Sequence, residues 1–203
     1  MTDRPASGTP KDTHYAKLRR AHRDRQRQEP SADTGRLTLY GIHTVTAALA
    51  NPQRRLHQLK ATLNALRRME IDEAAPPCPL EIVEPKKLDA ELGGEAVHQG
   101  VMLVTEPLAP LSLAELGDAR LILVLDQVTD PHNVGAILRS ATAFAADGLV
   151  TTARHSPQES GVLAKAASGA LETVPWVRAV NLARALDQVA DAGYWRLGLA
   201  GEA

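Results

Sequence analysis

The stretch that decides the fold of this chain is residues 121–139, which read Leu-Ile-Leu-Val-Leu-Asp-Gln-Val-Thr-Asp-Pro-His-Asn-Val-Gly-Ala-Ile-Leu-Arg. Its first five residues form an unbroken apolar run, which is typical of a strand buried on both faces of a parallel sheet. A polar turn follows, and Pro131 within it disfavours helical geometry in the residue before it. The pattern predicts a strand over 121–125, a loop, and a helix that begins near Asn133.

The helix predicted after this turn separates its polar residues from an apolar face. Gly135 lies four residues before Arg139 on one face, so the sequence predicts room for a substrate or cofactor beside the guanidinium. Asn133 lies six residues from Arg139, about 240° around an ideal helix. Their side chains therefore converge only if Asn133 belongs to the loop or to the first turn. The apolar face, which can pack against a sheet, comprises Val134, Ile137, Leu138, Ala141 and Ala145.

From residue 120 onward the chain repeats a strand–helix rhythm. Short loops between such units imply a mostly parallel sheet with right-handed crossovers, so the predicted fold class is α/β. Sheets of this kind bind ligands beyond the carboxyl ends of their strands, where Asn133, Arg139, Arg154, His155 and Leu199 fall. The predicted strands are 121–125, 148–152, 174–177 and 195–199, and the later helices are 159–167 and 182–190.

The chain before residue 120 divides into a tail, a small domain and a linker. Residues 1–30 carry eight Lys or Arg against four Asp or Glu, although the whole chain has a formal net charge of −1. We predict a disordered basic tail over 1–35, which is either an RNA-contacting arm or a solubilising segment. A layered α/β domain over 36–107 and a linker over 108–119 precede the domain at 120–203. The small domain's predicted strands are 37–40, 56–62, 80–83 and 100–104, and its helices are 43–50, 63–69 and 85–92.

Composition narrows the function classes. Aromatic residues make up only 3% of the chain, which argues against modules that stack single-stranded RNA on aromatic platforms. The single cysteine, Cys78, cannot form an internal disulfide or a cysteine zinc cluster. No apolar run approaches the length of a membrane helix, and the amino terminus lacks the apolar core of a signal peptide. We expect a cytoplasmic protein with no membrane partner.

A metal site is not expected in the polar turn. Asp126, Asp130 and His132 lie close together there but lack a recognised metal-ligand spacing. We interpret them as caps of the turn or the helix. Among other polar residues, His98 and Gln99 either hydrogen-bond RNA or cap the strand that follows. Arg154, His155 and Lys165 are either phosphate contacts or solvated charges.

Three stretches resemble the SPOUT superfamily, in its SpoU-type (TrmH-related) branch of RNA ribose 2'-O-methyltransferases. Residues 97–101, Val-His-Gln-Gly-Val, resemble the end of the amino-terminal substrate-binding domain of that branch. Residues 167–172, Ala-Ser-Gly-Ala-Leu-Glu, resemble the segment after the second strand of its catalytic domain. The resemblance runs from about Leu39 to the last residue. Its first motif is matched by Leu125-Asp126, Asp130-Pro131, Asn133-Val134-Gly135 and Arg139-Ser140-Ala141.

The resemblance implies an S-adenosylmethionine-dependent enzyme that methylates RNA, with large-subunit rRNA favoured over tRNA. In the family, the arginine matching Arg139 is thought to act on the ribose 2'-hydroxyl. Because a guanidinium stays protonated in proteins, orientation of the hydroxyl and clamping of a phosphate are favoured over base catalysis. Asn133 would hold the Arg139 loop or the ribose, and Leu199 would contact the cofactor. RNA contacts are assigned to Arg154, His155, Lys165, His98 and Gln99.

The chain departs from the family in its carboxyl-terminal motifs. The Gly-x-Glu-x-x-Gly turn and the Ser-Leu-Asn segment, which form the trefoil knot and most of the cofactor pocket, do not occur in it. We therefore expect a domain truncated before the knot, activity only with residues beyond Ala203, and an exposed apolar sheet edge. Family members commonly pair through the knot, which implies a homodimer for a complete protein.

Two alternatives from other classes stay open. The first is a non-catalytic RNA-binding module. The second is an unrelated nucleotide-binding α/β enzyme, against which the sequence holds no Gly-x-x-x-x-Gly-Lys-Ser/Thr loop and no Gly-x-Gly-x-x-Gly turn after a strand.

Overall fold

A computed structural model describes residues 35–199 of the chain. The predicted basic tail, residues 1–35, lies outside the described residues apart from Gly35. Residues 36–199 belong to one compact unit that contains two sheets. The α/β fold class predicted from the strand–helix rhythm is confirmed.

The first sheet is built from the part of the chain before residue 106. Its strands lie in the order β1-β4-β2-β3, and they are antiparallel except for the parallel pair β2 and β3. We call this part of the chain the first half and the part that forms the second sheet the second half. Every predicted helix and strand of the first half is present, with ends that shift by no more than about one residue. The elements are β1 (Leu37–Tyr40), α1 (Ile42–Ala50), β2 (Leu56–Ala61), α2 (Leu63–Arg68), β3 (Leu80–Ile82), α3 (Pro85–Leu92) and β4 (Val101–Thr105).

The second sheet contains three parallel strands in the order β5-β6-β7. Its last strand begins two residues later than predicted, because the Thr173 backbone N–H donates to the Ala170 carbonyl at 3.2 Å and closes a 3₁₀ turn, and the Val174 N–H donates to the same carbonyl at 3.0 Å. The elements are β5 (Ile122–Leu125), α4 (Pro131–Ala143), β6 (Gly148–Thr152), α5 (Gly161–Ala167), β7 (Trp176–Ala179) and α6 (Leu182–Asp191).

The predicted fourth strand of this sheet, residues 195–199, is wrong for the described structure. Its alternating apolar side chains, Trp195, Leu197 and Leu199, are 96%, 92% and 101% exposed. A local alternation of apolar residues predicts a strand, but a strand also needs a neighbour that supplies backbone hydrogen bonds. This segment pairs with no strand among the described residues.

Helices α4 and α6 cover opposite faces of the second sheet. Leu123 lines a cavity together with α4, whereas Ile122 lines a cavity together with α6. Neighbouring residues of a strand point to opposite faces, so the two helices lie on different sides. The edge of β5 that faces away from β6 is unpaired among the described residues, and Leu121 beside it is 43% exposed.

The two sheets share one hydrophobic core through α5. The Thr44 hydroxyl of α1 donates to the Ala164 carbonyl at 3.2 Å. Gly161, at the start of α5, lies so close to β1 that a Cβ there would sit 2.5 Å from the Thr38 carbonyl oxygen. Fully buried side chains from both halves form one cluster that includes Leu39, Val45, Leu59, Leu103, Val134, Leu138, Leu149 and Leu163.

A buried ion cluster joins the two halves beside this core. The Arg54 guanidinium lies 2.5 Å from Glu159 and 2.5 Å from Glu172, and the side chains are 0%, 10% and 3% exposed. Arg54 also donates to the Glu106 carbonyl at 2.9 Å, and the Asn51 amide donates to Glu172 at 2.8 Å. Burial lowers the pKa of Arg54, but the hydrogen bonds and charges of Glu172 and Glu159 outweigh it and hold that pKa above its ordinary value.

Replacement of Arg54 by alanine should destabilise the fold strongly. Arg54→Ala leaves two carboxylates buried without their cation, and breaking a buried pair in this way costs about 3–5 kcal/mol of unfolding free energy. The matched control is Arg55→Ala, whose side chain is 79% exposed and whose loss should cost at most about 1 kcal/mol. Urea unfolding followed by circular dichroism measures both. Equal losses for the two variants would contradict the role assigned to Arg54.

Candidate active site

Helix α4 begins with a well-formed cap. Asp130 is extended, with φ −84° and ψ 122°, and its carboxylate accepts from the His132 backbone N–H at 2.9 Å. Pro131 occupies the first turn, where its missing N–H costs nothing. The helix therefore starts two residues earlier than predicted, and the prediction that Asp130 is a cap is confirmed.

Asn133 and Arg139 both lie exposed on α4. Asn133 belongs to the first turn of the helix. This is one of the two positions from which its side chain was predicted to be able to converge with that of Arg139. No hydrogen bond joins the two side chains, and neither has a polar partner among residues 35–199. In a regular helix they leave the axis about 120° apart, so they can reach one ligand from two sides without touching each other.

Gly135 does not leave room for a ligand, so that part of the prediction is wrong. It is buried against α5, where an added Cβ would lie 2.6 Å from the Ala166 Cβ and 2.7 Å from the Leu163 carbonyl oxygen. The missing side chain instead allows α4 and α5 to approach closely. Gly135 is therefore a helix-packing residue that fixes the position of the helix carrying Arg139.

The loop after β6 carries the next two predicted contacts. Arg154 and His155 are both exposed in it. β6 is the neighbour of β5 in the parallel sheet, so the loop and the start of α4 lie beyond the same edge of that sheet. The Arg178 guanidinium fixes the beginning of the loop by donating to the Ala153 carbonyl at 3.0 Å. Glu159 fixes its end by pairing with Arg54.

His98 is held inside the first half of the chain. It is 9% exposed, its Nε2 lies 3.0 Å from the Asp89 carboxylate, and its Nδ1 accepts from the Gly100 backbone N–H at 3.0 Å. Both ring nitrogens are therefore engaged within the protein. This geometry favours the alternative in which His98 caps the start of β4.

Gln99 and Lys165, which the sequence places 66 residues apart, are brought together. The Lys165 ammonium donates to the Gln99 side-chain oxygen at 2.8 Å. The same oxygen accepts from the backbone N–H of Ile42, the first residue of α1, at 3.1 Å. Partial burial lowers the pKa of Lys165. Lys165 lies beside the first sheet on α5, and Gln99 lies in the turn before β4.

No sequence pattern predicted the buried ion cluster that holds the loop after β6. Arg54 follows an Asn-Pro-Gln turn, where an arginine is more often a solvated charge. Its partners Glu159 and Glu172 are more than a hundred residues away. Only the packing of one sheet on the other reveals the cluster.

Within residues 35–199, no group of three or more His, Cys, Asp or Glu side chains is arranged to hold a metal ion. In the same range, no helix is both long and apolar enough to cross a membrane. Leu199, the predicted cofactor contact, is fully exposed and belongs to no strand.

Sequence comparisons cover both halves of the chain. The profile of the SpoU rRNA Methylase family matches residues 120–203, and a profile described as RNA 2'-O ribose methyltransferase substrate binding matches residues 38–111. The 23S rRNA (guanosine-2'-O-)-methyltransferase RlmB of Pasteurella multocida is 37% identical over 183 residues, covering 81% of this chain and 71% of that protein. RlmB of Pseudomonas putida is 36% identical over 179 residues, with 81% and 70% covered.

Solved structures share the fold. The SpoU methyltransferase AviRb from Streptomyces viridochromogenes superposes with a TM-score of 0.61 at 21% identity, over 78% of this chain and 60% of that chain. An AdoMet-bound rRNA methyltransferase from Sinorhizobium meliloti gives a TM-score of 0.62 at 21% identity, over 84% and 61%. This chain thus spans 60% and 61% of the length of these two solved chains.

Substitution of Gly135 by alanine should separate α4 from α5. Gly135→Ala places a methyl group against backbone atoms of α5, and such overpacking costs about 1–3 kcal/mol of unfolding free energy. Gly94→Ala is the control, since nothing lies within 4 Å of a Cβ there. Thermal unfolding should show a lower Tm for the first variant alone. An unchanged Tm for Gly135→Ala would refute the close approach of the two helices.

Proposed function

We propose, since this chain belongs to the SpoU rRNA methylase family, that it transfers a methyl group from S-adenosylmethionine to a ribose 2'-hydroxyl of RNA. The observation that carries the proposal is the placement of Asn133 and Arg139. Both are exposed on α4, whose first turn, with Asn133, lies beyond the carboxyl end of β5, where open parallel sheets bind ligands. Arg139 lies about two turns further along the same helix. The RlmB relatives act on 23S rRNA, which supports large-subunit rRNA over tRNA as the substrate.

The chain's own residues orient the RNA. S-adenosylmethionine supplies an activated methyl group on a sulfonium, so the protein has mainly to place the 2'-hydroxyl in line. The Arg139 guanidinium stays protonated and offers several N–H donors in a fixed fork. It clamps the phosphate next to the reacting ribose and holds the hydroxyl. The Asn133 amide, which both donates and accepts, contacts the ribose from the first turn of the same helix.

Leu199 is the one position predicted to contact the methyl donor. Leu199 is 101% exposed and lies in no strand, so it encloses no ligand. We therefore assign Leu199 no role in the RNA contacts described above. A cofactor contact by Leu199 stays a prediction.

Arg154 and His155 extend the RNA surface along the same edge of the sheet. Both are exposed in the loop after β6, and that loop is held at one end by Arg178 and at the other by the buried Arg54. Side chains on an anchored loop lose less entropy on binding than side chains on a free one. We assign them to phosphates that flank the reacting nucleotide.

Two finer properties belong to the same proposal. A homodimer is supported by the family resemblance alone. A cytoplasmic location is supported by the single cysteine, which suits a reducing compartment.

A second candidate function is a non-catalytic RNA-binding module. One observation favours it: residues 195–199 lie outside the sheet with their apolar side chains exposed. If this candidate is correct, the 203-residue polypeptide binds RNA without S-adenosylmethionine and transfers no methyl group to it.

One experiment separates the two candidates. The 203-residue protein is incubated with unmodified 23S rRNA transcript and methyl-tritiated S-adenosylmethionine, and RNA binding is measured in parallel by filter retention. The enzyme proposal expects tritium in alkali-stable dinucleotides, because a 2'-O-methyl group blocks cleavage of the adjacent phosphodiester. Binding without label supports the RNA-binding module. Failure to bind the transcript would refute both candidates.

Removal of the Arg139 guanidinium should weaken RNA binding and abolish transfer. A hydrogen bond to a charged group contributes about 1.5–3 kcal/mol, so we expect Arg139→Ala to lose about tenfold or more in affinity for the transcript. Arg184→Ala, which removes an exposed arginine from α6 on the opposite face of the sheet, is the control and should bind like the wild type. Wild-type affinity in Arg139→Ala would remove Arg139 from the site.

A further inference from the structure

We propose that Gln99 and Lys165 together form a binding site for an RNA phosphate at the junction of the two sheets. The inference rests on the proposed function, since it takes RNA as the substrate. It adds a contact that is remote in sequence from the Asn133–Arg139 motif and that needs both halves of the chain.

The side chain of Gln99 directs its NH2 group outward, because its oxygen is already hydrogen-bonded within the protein. Its side-chain oxygen has two lone pairs, and it accepts from the Ile42 backbone N–H at 3.1 Å and from Lys165 at 2.8 Å. With the oxygen held from two sides, the amide NH2 must point away from both donors. Neither of its hydrogens has a partner among residues 35–199, and the side chain is exposed.

Lys165 adds a positive charge that no carboxylate of residues 35–199 neutralises. Its ammonium has three hydrogens, of which Gln99 takes one. No Asp or Glu of residues 35–199 forms an ion pair with it. Partial burial lowers the pKa of Lys165, whereas a neighbouring carboxylate would have raised it. The pair therefore presents N–H donors and a charge but no acceptor, which is the complement of a phosphate oxygen.

The backbone around the pair is shaped to keep it in place. Gln99 has φ +57°, a left-handed conformation that is strained in a residue other than glycine. Gly41 also has a positive φ, +89°, and a Cβ at that position would collide with the Lys165 ammonium. The lysine thus lies directly over a glycine, and the glutamine is held in a strained turn beside it.

The location explains why one RNA molecule would use this site. Gln99 comes from the half matched by the substrate-binding profile, and Lys165 from the half matched by the methylase profile. A phosphate held by both side chains touches both halves at once, so it fixes the RNA relative to α4. The carboxylate of S-adenosylmethionine has the same acceptor chemistry, and the test includes it as a separate arm.

The decisive variant is Gln99→Glu. Glutamate keeps an oxygen for Ile42 and for Lys165, so the contact within the protein is retained or strengthened, while the outward NH2 becomes a negatively charged oxygen. We expect a Tm at or above the wild-type value, together with a loss of about tenfold or more in affinity for a fluorescein-labelled 23S rRNA hairpin. The slope of log affinity against log KCl should fall by about one unit.

Lys165→Met is the second variant, since it removes the charge and keeps the apolar stem. For this variant too, the slope of log affinity against log KCl should fall by about one unit. Gln188→Glu makes the same charge change on α6, which covers the other face of the second sheet, and is the matched control expected to bind the hairpin like the wild type. Calorimetric titration of Gln99→Glu with S-adenosylmethionine should give the wild-type result.

Two outcomes would overturn the inference while leaving the proposed function intact. One is wild-type RNA affinity and salt dependence in Gln99→Glu or in Lys165→Met, which would make the pair a structural link only. The other is a loss of S-adenosylmethionine affinity without a loss of RNA affinity, which would assign the pair to the cofactor. Failure of the wild type to bind the hairpin would refute the proposed function itself.

Discussion

The arrangement of the two sheets depends on one buried guanidinium. Arg54 is fully buried and is held between Glu159 and Glu172, with a further bond to the Glu106 carbonyl. Removing these charges from water costs free energy. The arrangement is stable because nearly every N–H of the guanidinium donates to a carboxylate of the second half or to the Glu106 carbonyl. Few relative positions of the two sheets satisfy that condition, so the cluster selects one of them.

The position of the candidate site follows from this constraint. Glu159 ends the loop that carries Arg154 and His155, and it leads directly into α5. Helix α5 packs against β1 on one side and against Gly135 of α4 on the other. The surface that presents Arg139 is therefore connected by close contacts to the half matched by the substrate-binding profile. The same packing brings Lys165 to Gln99.

Local patterns predicted most of the elements, because periodicity reports burial directly. The apolar runs predicted as strands at 121–125 and 148–152 form the strands Ile122–Leu125 and Gly148–Thr152, and Asp130 with Pro131 starts a helix, since these signals need no distant partner. The segment 195–199 was predicted to be a strand on the same grounds and is not one, because pairing depends on a neighbour. Gly135 was interpreted as space for a ligand, whereas in the structure that space is filled by α5.

The sequence by itself determined the α/β class, the position of each α-helix and strand before residue 192 to within about two residues, and the candidate residues Asn133 and Arg139. It could do so because backbone conformation, capping and amphipathic spacing are properties of neighbouring residues. Only the tertiary structure decided that His98 faces inward, that Arg54 joins the two halves, and that Gln99 meets Lys165. Those contacts join residues about fifty to more than a hundred positions apart or depend on burial, and no local pattern encodes which distant partner a charged side chain will meet.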